Sequence, residues 1–280
     1  MAITIRPVTT IAECRIIEQL QFEVWQPADI EITPDHLLLT IAKEGGVVLL
    51  AWNEAEQPVG FAFGFIGLDE DNRIKLASHQ TGVLPAYQDS GVGHLLKLAQ
   101  REAALARKLE RITWTFDPLQ GRNARLNLRK LGVVCRTYLR DLYGEMRDEL
   151  NQGLPTDRFK VDWWIASQRV AQRLAGHFSE PSWPASVCPI LNPASLETDG
   201  LLRPAATFDL ADTSFGLVEV PANLPQLKVH APDLALQWRL HTRAIFEAAF
   251  ANGYTVIDLL RREGRNYYLL QKDWQVEDKG

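Results

Sequence analysis

The sequence predicts a mixed α/β protein in two lobes, and three observations predict it. Strand-like apolar runs alternate with stretches of helical periodicity along all 280 residues. Between Val47 and Leu84 three strand-like runs follow one another across short polar connections, the pattern of a meander. The stretch Glu149-Leu150-Asn151-Gln152-Gly153-Leu154-Pro155 is polar and punctuated by Gly and Pro, which sets a boundary between residues 1–152 and 153–280.

Composition narrows the class. With 46% hydrophobic and 23% charged residues the chain is globular and has apolar material for a core without metal or disulfide staples. Thirty Lys and Arg against 35 Asp and Glu give a net charge of -5, evenly spread, which argues against a general nucleic-acid binder. Cys14, Cys135 and Cys188 are odd in number and far apart, so neither a CxxC pair nor a disulfide framework is expected. Arg6 interrupts the N-terminal apolar run, which does not read as a signal peptide. The longest apolar tract, Leu37–Trp52, is broken by Lys43, Glu44, Gly45 and Gly46, short of the roughly 20 apolar residues of a membrane span. A cytoplasmic protein with no membrane or nucleic-acid partner is expected.

In chain order, Ile3, Ile5 and Val8 form a short strand ending near Pro7. Ile11, Ile16, Ile17, Leu20 and Val24 recur at helical spacing, and Pro34 opens a second helix through Leu37, Leu38 and Ile41 that Gly45-Gly46 stops. Strands follow at Val47–Trp52, Pro58–Gly67 and Lys75–Leu84. A long helix runs from Gly91 to about Lys108 with Val92, Leu95, Leu96, Ala99, Ala103 and Ala106 on its apolar face. Arg111–Phe116 alternates as a strand, a helix spans about Asn123–Leu131, Gly132 caps it, and Val133–Leu139 is a strand. The second half reads as a strand (Phe159–Ile165), a helix (Ser167–Leu174), an irregular stretch (Ser179–Ser195), strands near Arg203–Phe208 and Gly216–Val220, a helix over about Asp233–Phe250, and a hairpin of Thr255–Leu260 and Tyr267–Gln271. Trp163, Trp164, Tyr254, Tyr267 and Tyr268 are material for a core or an interface.

The chemically informative stretch is Gly82-Val83-Leu84-Pro85-Ala86-Tyr87-Gln88-Asp89-Ser90-Gly91-Val92-Gly93. A strand ends, a short turn carries two glycines, and a long helix begins. The first amides of a helix lack internal acceptors and the helix dipole favours an anion there, while glycine lets a phosphate approach the backbone. It is not a P-loop, since no Lys-Ser or Lys-Thr follows, and not GxGxxG, since Leu96 stands three after Gly93. No GxSxG elbow is present.

Gln88-x-x-Gly91-x-Gly93 after Val83-x-Pro85 resembles the pyrophosphate-binding motif of the GNAT superfamily of N-acetyltransferases. The order strand, two helices, meander, long helix, strand, helix, strand is similar to that fold, as is Asn123-Ala124 with Lys130-Leu131-Gly132-Val133. The resemblance covers about Ile3–Tyr143. It implies acetyl-CoA as co-substrate, with no metal, lying between two splayed parallel strands, here Lys75–Leu84 and Arg111–Phe116. The backbone near Val83 and Leu84 would hold the pantetheine and polarise the thioester. Gln88, Asp89, Ser90, Gly91, Val92 and Gly93 would cradle the pyrophosphate, with His94 in the first turn and Asn123 on the last helix beside the co-substrate. An amine, on a small molecule or a protein, would attack the thioester directly.

The chain departs from the family at the acid. Leu128 stands where many members carry Tyr, and the family Asn slot is Gly121, with Asn123 two residues on. Tyr138 is a candidate substitute, or a core tyrosine. His79, read as sharing strand parity with Thr81 and Val83, is a candidate base, or a half-buried sheet histidine. Asp117 is near the expected acceptor site and equally placed to cap the Pro118 turn. Glu145 and Glu149 read as solvated. Arg122, Arg125, Arg129 and Lys130, or Arg101, Arg107, Lys108 and Arg111, could meet a 3′-phosphate or form wet helix faces. His36, His177, His230 and His241 show no metal-ligand spacing.

The second half has no glycine-rich turn. Leu224, Gln226 and Leu227 occupy the place of Gln88, Gly91 and Gly93, so it reads as a degenerate GNAT-like lobe without a phosphate site. Glu219 ends a strand at a place comparable to Val83, as a cleft acid or a surface carboxylate. Two function classes follow: an acetyl-CoA-dependent N-acyltransferase, and a non-catalytic acyl-CoA-binding or scaffold module. A homodimer is open to either.

Overall fold

Thr10 and Glu13 show how the first helix starts. The Glu13 N–H donates to Thr10 Oγ1 at 3.3 Å, and the Glu13 carboxylate accepts the N–H groups of Thr9 and Thr10, both at 2.9 Å. This reciprocal box satisfies amides that a helix start otherwise leaves bare. The computed structural model describes residues 2–25, 32–144, 153–178, 187–210 and 212–276. Among these, contacts group residues up to Trp114 as one unit and residues from Thr115 onward as a second. This differs from the division expected near Gly153. The segment from Thr115 to Gly144 packs with the second half because its strand pairs there.

The first unit contains β1 (Thr4–Pro7), α1 (Ile11–Trp25), α2 (Asp35–Lys43), β2 (Val47–Trp52), β3 (Pro58–Leu68), β4 (Ile74–Val83), α3 (Val92–Ala106) and the start of β5 (Arg111–Phe116). Its strands lie in the order β1-β2-β3-β4-β5, antiparallel up to β4 and parallel between β4 and β5. The expected meander is therefore present, and α3 is the crossover that a parallel pair requires. Alternation along β3 sends Phe61 and Phe63 to one face, where they pack with Ile17 and Leu20 of α1 and Leu38 of α2. On the other face a Cβ at Gly60 would come within 3.4 Å of Val92 Cγ1, so α3 lies there.

The buried row of α3 is Val92, Leu96, Lys97, Gln100 and Ala104. The apolar face expected through Leu95, Ala99, Ala103 and Ala106 is rotated relative to it, and Leu95 is 39% exposed. An apolar-only reading misplaces the stripe because two of its members, Lys97 and Gln100, are polar.

The second unit contains α4 (Gly121–Ala124), a π-helical segment Arg125–Lys130, β6 (Val134–Leu139), β7 (Arg158–Trp164), α5 (Gln168–Leu174), β8 (Ser195–Leu196), β9 (Leu202–Arg203), β10 (Phe215–Val220), α6 (Leu224–His230), α7 (Pro232–Ala251), β11 (Tyr254–Arg262) and β12 (Arg265–Lys272). The helix expected over Asn123–Leu131 is thus a short α turn continued as π-helix. The strand expected over Arg203–Phe208 shrinks to two residues of β9. Helix α6 was not expected from periodicity. It starts where the Asn223 side chain accepts the Gln226 N–H at 3.1 Å, with Pro225 in the first turn.

The strands of this unit run β7-β6-β11-β12-β10. Phe159, Phe246 and Tyr268 form an edge-to-face core, with Phe159 and Phe246 4.7 Å apart at 80°. Strands β10 and β11, joined through α6 and α7, are each antiparallel to β12 and so parallel to each other. The gap between two parallel strands that the first unit leaves open is here filled by β12 along its length.

Asp157 ties this unit together. It is fully buried, takes Arg243 Nε and Nη2 at 2.8 and 2.7 Å, the Tyr138 hydroxyl at 2.6 Å and the Asp141 N–H at 3.0 Å. Burial pushes its carboxyl up, and these hydrogen bonds outweigh it and hold the group below its usual range. A depressed carboxylate contributes stability above its unfolded pKa that is lost as pH falls through the folded value. Below about pH 4, denaturant midpoints of the wild type are therefore expected to fall more steeply than those of Asp157→Asn. Parallel slopes would refute this.

Candidate functional site

Strand β4 ends at Val83, a 3₁₀ turn covers Pro85–Tyr87, and α3 begins at Val92. Between them Asp89 and Gly91 adopt left-handed backbone, φ 62° and 92°. Glycine takes this conformation freely, which is why Gly91 can cap the helix without a side chain. The Ser90 hydroxyl closes the turn by donating to Tyr87 O at 2.6 Å. The first turn of α3 carries no capping side chain and no acid. The first amides of α3 lack intrahelical acceptors, and the positive end of the helix dipole lies at this turn. Gln88, Asp89, Ser90 and Gly91 are exposed, Gly93 and His94 half-buried, and Val92 is buried as the anchor. A Cβ on Gly93 would sit 3.8 Å from Val83 Cγ2. The turn thus lies directly against the end of β4.

Beside the turn the sheet opens. β4 and β5 pair only at Leu76 with Ile112 and Ala77 with Thr113. Among the described residues, Ser78–Val83 have no strand partner on that side. Leu84 N–H donates to Val59 O at 3.0 Å, so that amide is spent within the sheet rather than free for a ligand as expected. Val83, opposite Gly60 in the non-bonded register, directs its own N–H and C=O to the open edge. The Thr81 hydroxyl is buried with no hydrogen-bond partner. A ligand with its own amides fits such an edge as an added strand does.

His79 lies on a bulge. The register passes from Phe63 opposite Gln80 to Gly64 opposite Ser78 and skips it. One extra residue breaks the alternation, so His79 does not share a face with Val83. Its ring meets Phe63 and Phe65, at 5.5 and 6.0 Å, on the face of α1 and α2. Desolvation holds its pKa below the usual value, which keeps the ring neutral at pH 7.

Beneath the split lies a group that periodicity missed. Lys97 Nζ donates to Ser78 Oγ at 2.8 Å and Gln100 Oε1 at 3.2 Å, and sits 4.2 Å from the Trp114 ring centroid. Burial lowers its pKa to about 7. The spacing Val92, Leu96, Gln100, Ala104 was the available signal that this side of α3 faces inward.

The other expected residues belong to the second unit. Asn123 is exposed on α4, and Leu128 is fully buried. Tyr138 is a core tyrosine: its hydroxyl donates to Asp157, and burial raises its pKa further. Asp117 does cap its turn, accepting the Leu119 N–H at 2.8 Å, and also takes Arg239 Nη2 at 2.6 Å. Glu219 is neither a cleft acid nor a surface carboxylate. It is fully buried, paired with Arg265, and accepts the Ala194 N–H at 3.0 Å. Glu145 and Glu149 lie outside the described residues. In the first unit, Arg107 donates to the carbonyls of Gly45 and Gly46, and Arg111 is buried against Asp69 and Glu70.

Cys14, Cys135 and Cys188 are buried free thiols. Among the described residues no group of three or more His, Cys, Asp or Glu could hold a metal ion, and no helix is long and apolar enough to cross a membrane.

No protein-family model matches the chain, and no curated protein matches it. Solved structures of acetyltransferases, some described as members of the GNAT family, are similar to it in fold. The NatC complex bound to Gag peptide and CoA is similar over 58% of this chain and 98% of that one, at 14% identity and TM-score 0.46. The ribosomal-protein-S18-alanine N-acetyltransferase of Escherichia coli is similar over 59% and 94%, at 16% and 0.44. A putative acetyltransferase of Salmonella typhimurium with its cofactor acetyl-CoA is similar over 66% and 98%, at 16% and 0.45.

Proposed function

We propose that the chain is an N-acyltransferase that moves an acetyl group from acetyl-CoA to an amine in a ternary complex. The observation that carries this reading is the uncapped, acid-free start of α3, held by the Gln88–Gly93 turn against the open edge of β4. Backbone amides after Gln88, whose own N–H is spent on Pro85 O, would bind the diphosphate, and the N–H of Val83, with its C=O once released by Gln88 Nε2, would pair with the pantetheine amides. Acetyl-CoA supplies the activated thioester. The neutral His79 ring, on the face of Phe63 and Phe65, would take a proton from an ammonium that arrives on that side, directly or through water. Tyr138 keeps its proton on Asp157, and the departing thiolate, a weak base, leaves without it. The acceptor is an amine of a small molecule or a protein.

The second reading, a binding module without turnover, draws on Leu128, a buried apolar residue in the place of the family's acid. Titration calorimetry with acetyl-CoA tests the common step. Binding at one site per chain is expected, weakened at least tenfold in Gly93→Trp, whose ring would fill the space beside Val83. Wild-type binding in that variant would refute the placement. Thiol release over an amine panel then separates enzyme from module. His79→Ala is expected to lower kcat by about 10²–10⁴, and unchanged turnover would remove His79 as base.

A further inference from the structure

The second unit contains a cavity of about 580 Å³ lined by Arg122, Arg125, Arg129, Lys130 and Arg261, together with Asn266 and the apolar Phe178, Ala222 and Leu259. We propose that it binds a multiply charged organic oxyanion, a phosphate ester or polycarboxylate of nucleotide size or smaller. The inference concerns the second unit alone and does not depend on acyl-CoA binding by the first.

Charge is the first support. Among the described residues, five of the ten that line it are cations and none is an acid, in a chain whose acids outnumber its bases 35 to 30. Three elements converge to make it so. Arg122, Arg125 and Arg129 recur three and four residues apart along α4 and the π-helical segment. Arg261 comes from β11, and Asn266 from β12. A solvated helix face would not recruit a cation from a strand.

The cavity is also built. Arg129 Nη1 is fixed at 3.1 Å on Asp258, a carboxylate only 1% exposed that also takes Arg173 Nη2 at 2.7 Å. That one buried acid already serves two arginines, and Arg173 Nη1 is buried without a partner. Asn266 Nδ2 would lie 2.9 Å from a Cβ at position 121, so glycine there admits the amide to the wall. Guanidinium groups match phosphate and carboxylate oxygens in paired hydrogen bonds. The volume falls in the range of small-ligand pockets, and the apolar wall suits an organic body rather than a bare ion.

Gathering Arg125, Lys130 and Arg261 at one wall costs a repulsion that a bound polyanion relieves. The exposed pair Arg125→Gln/Arg261→Gln therefore gives a readout that a purely structural role would not. Its Tm at low salt should equal or exceed that of the wild type, while its response to anions is lost. Inorganic pyrophosphate, adenosine 5′-diphosphate and citrate are titrated against the full chain by calorimetry and thermal shift. At least one is expected to bind the wild type and Gly93→Trp alike, with affinity falling as salt rises, and to bind the double variant at least tenfold more weakly. Preference for the first two assigns a phosphate ester, and preference for citrate a polycarboxylate. No binding by any of the three, wild-type binding by the double variant, or loss of binding in Gly93→Trp would each overturn the proposal. Failure of acetyl-CoA to bind would sink the transferase reading and leave this one standing.

Discussion

Asp117→Ala is expected to destabilise the second unit by about 3–5 kcal/mol, the loss typical when one member of a buried ion pair is removed. Arg239 is 1% exposed, and its Nε and Nη1 are buried without hydrogen-bond partners. Asp117 takes its remaining Nη2 and, in addition, the Leu119 N–H. Alanine leaves a charge in a low-dielectric interior and an amide without its acceptor. Asp117→Asn keeps one acceptor oxygen of the two in use and should lose less than alanine. The double variant Asp117→Ala/Arg239→Met should recover part of the loss, because an apolar pair of similar volume often replaces a buried ion pair at little cost. Chemical denaturation of these proteins together with Arg239→Met closes the cycle. A loss in Asp117→Ala below about 1 kcal/mol, the scale of exposed ion pairs, would refute the buried-pair account.

Lys97→Met is expected to stabilise the first unit, most strongly at low pH. The lysine has a reference pKa of 10.5 and a folded value of about 7. Between these values the unfolded chain binds more protons than the folded one, so wild-type stability rises with pH across that window. Below about pH 7 the cost is complete, on the order of 3–5 kcal/mol at ~1.4 kcal/mol per unit. Methionine fills similar space without charge, and the Ser78 hydroxyl still donates to Gln100 Oε1 at 3.0 Å. The lost attraction between the ammonium and Trp114 offsets part of the gain. Denaturant midpoints of variant and wild type should therefore lie farthest apart near pH 6 and converge toward pH 10. A constant difference across that range would show that Lys97 is not desolvated as described.

Much of the first unit is legible in the order of its residues. β2, β3 and β4 announce themselves through apolar and aromatic runs with polar punctuation. The turn from Val83 to Gly93 combines a strand end, Pro85, two glycines and an amphipathic helix, all local signals. The bulge at His79 is not legible. A single skipped residue reverses strand parity, and nothing in Ser78-His79-Gln80 marks it. Lys97 escaped because a buried lysine contradicts the rule by which helix faces are found. In the second unit, α6 is only seven residues long and offers too few positions for a period.

What the sequence determined alone is therefore what neighbouring residues decide among themselves. That includes the alternation of strands and helices, the glycine turn, and the loss of that turn in the second half. The tertiary structure decided what distant residues do to one another. Asp117 became a buried ion-pair partner of a residue 122 positions away, and Glu219 was withdrawn from any cleft by Arg265. β12 closed the gap between β10 and β11, while the corresponding gap beside β4 stayed open. The reason is physical. Periodicity and turn chemistry act over two to four residues, whereas burial of a charge and the filling of a sheet depend on which elements the closed chain brings side by side.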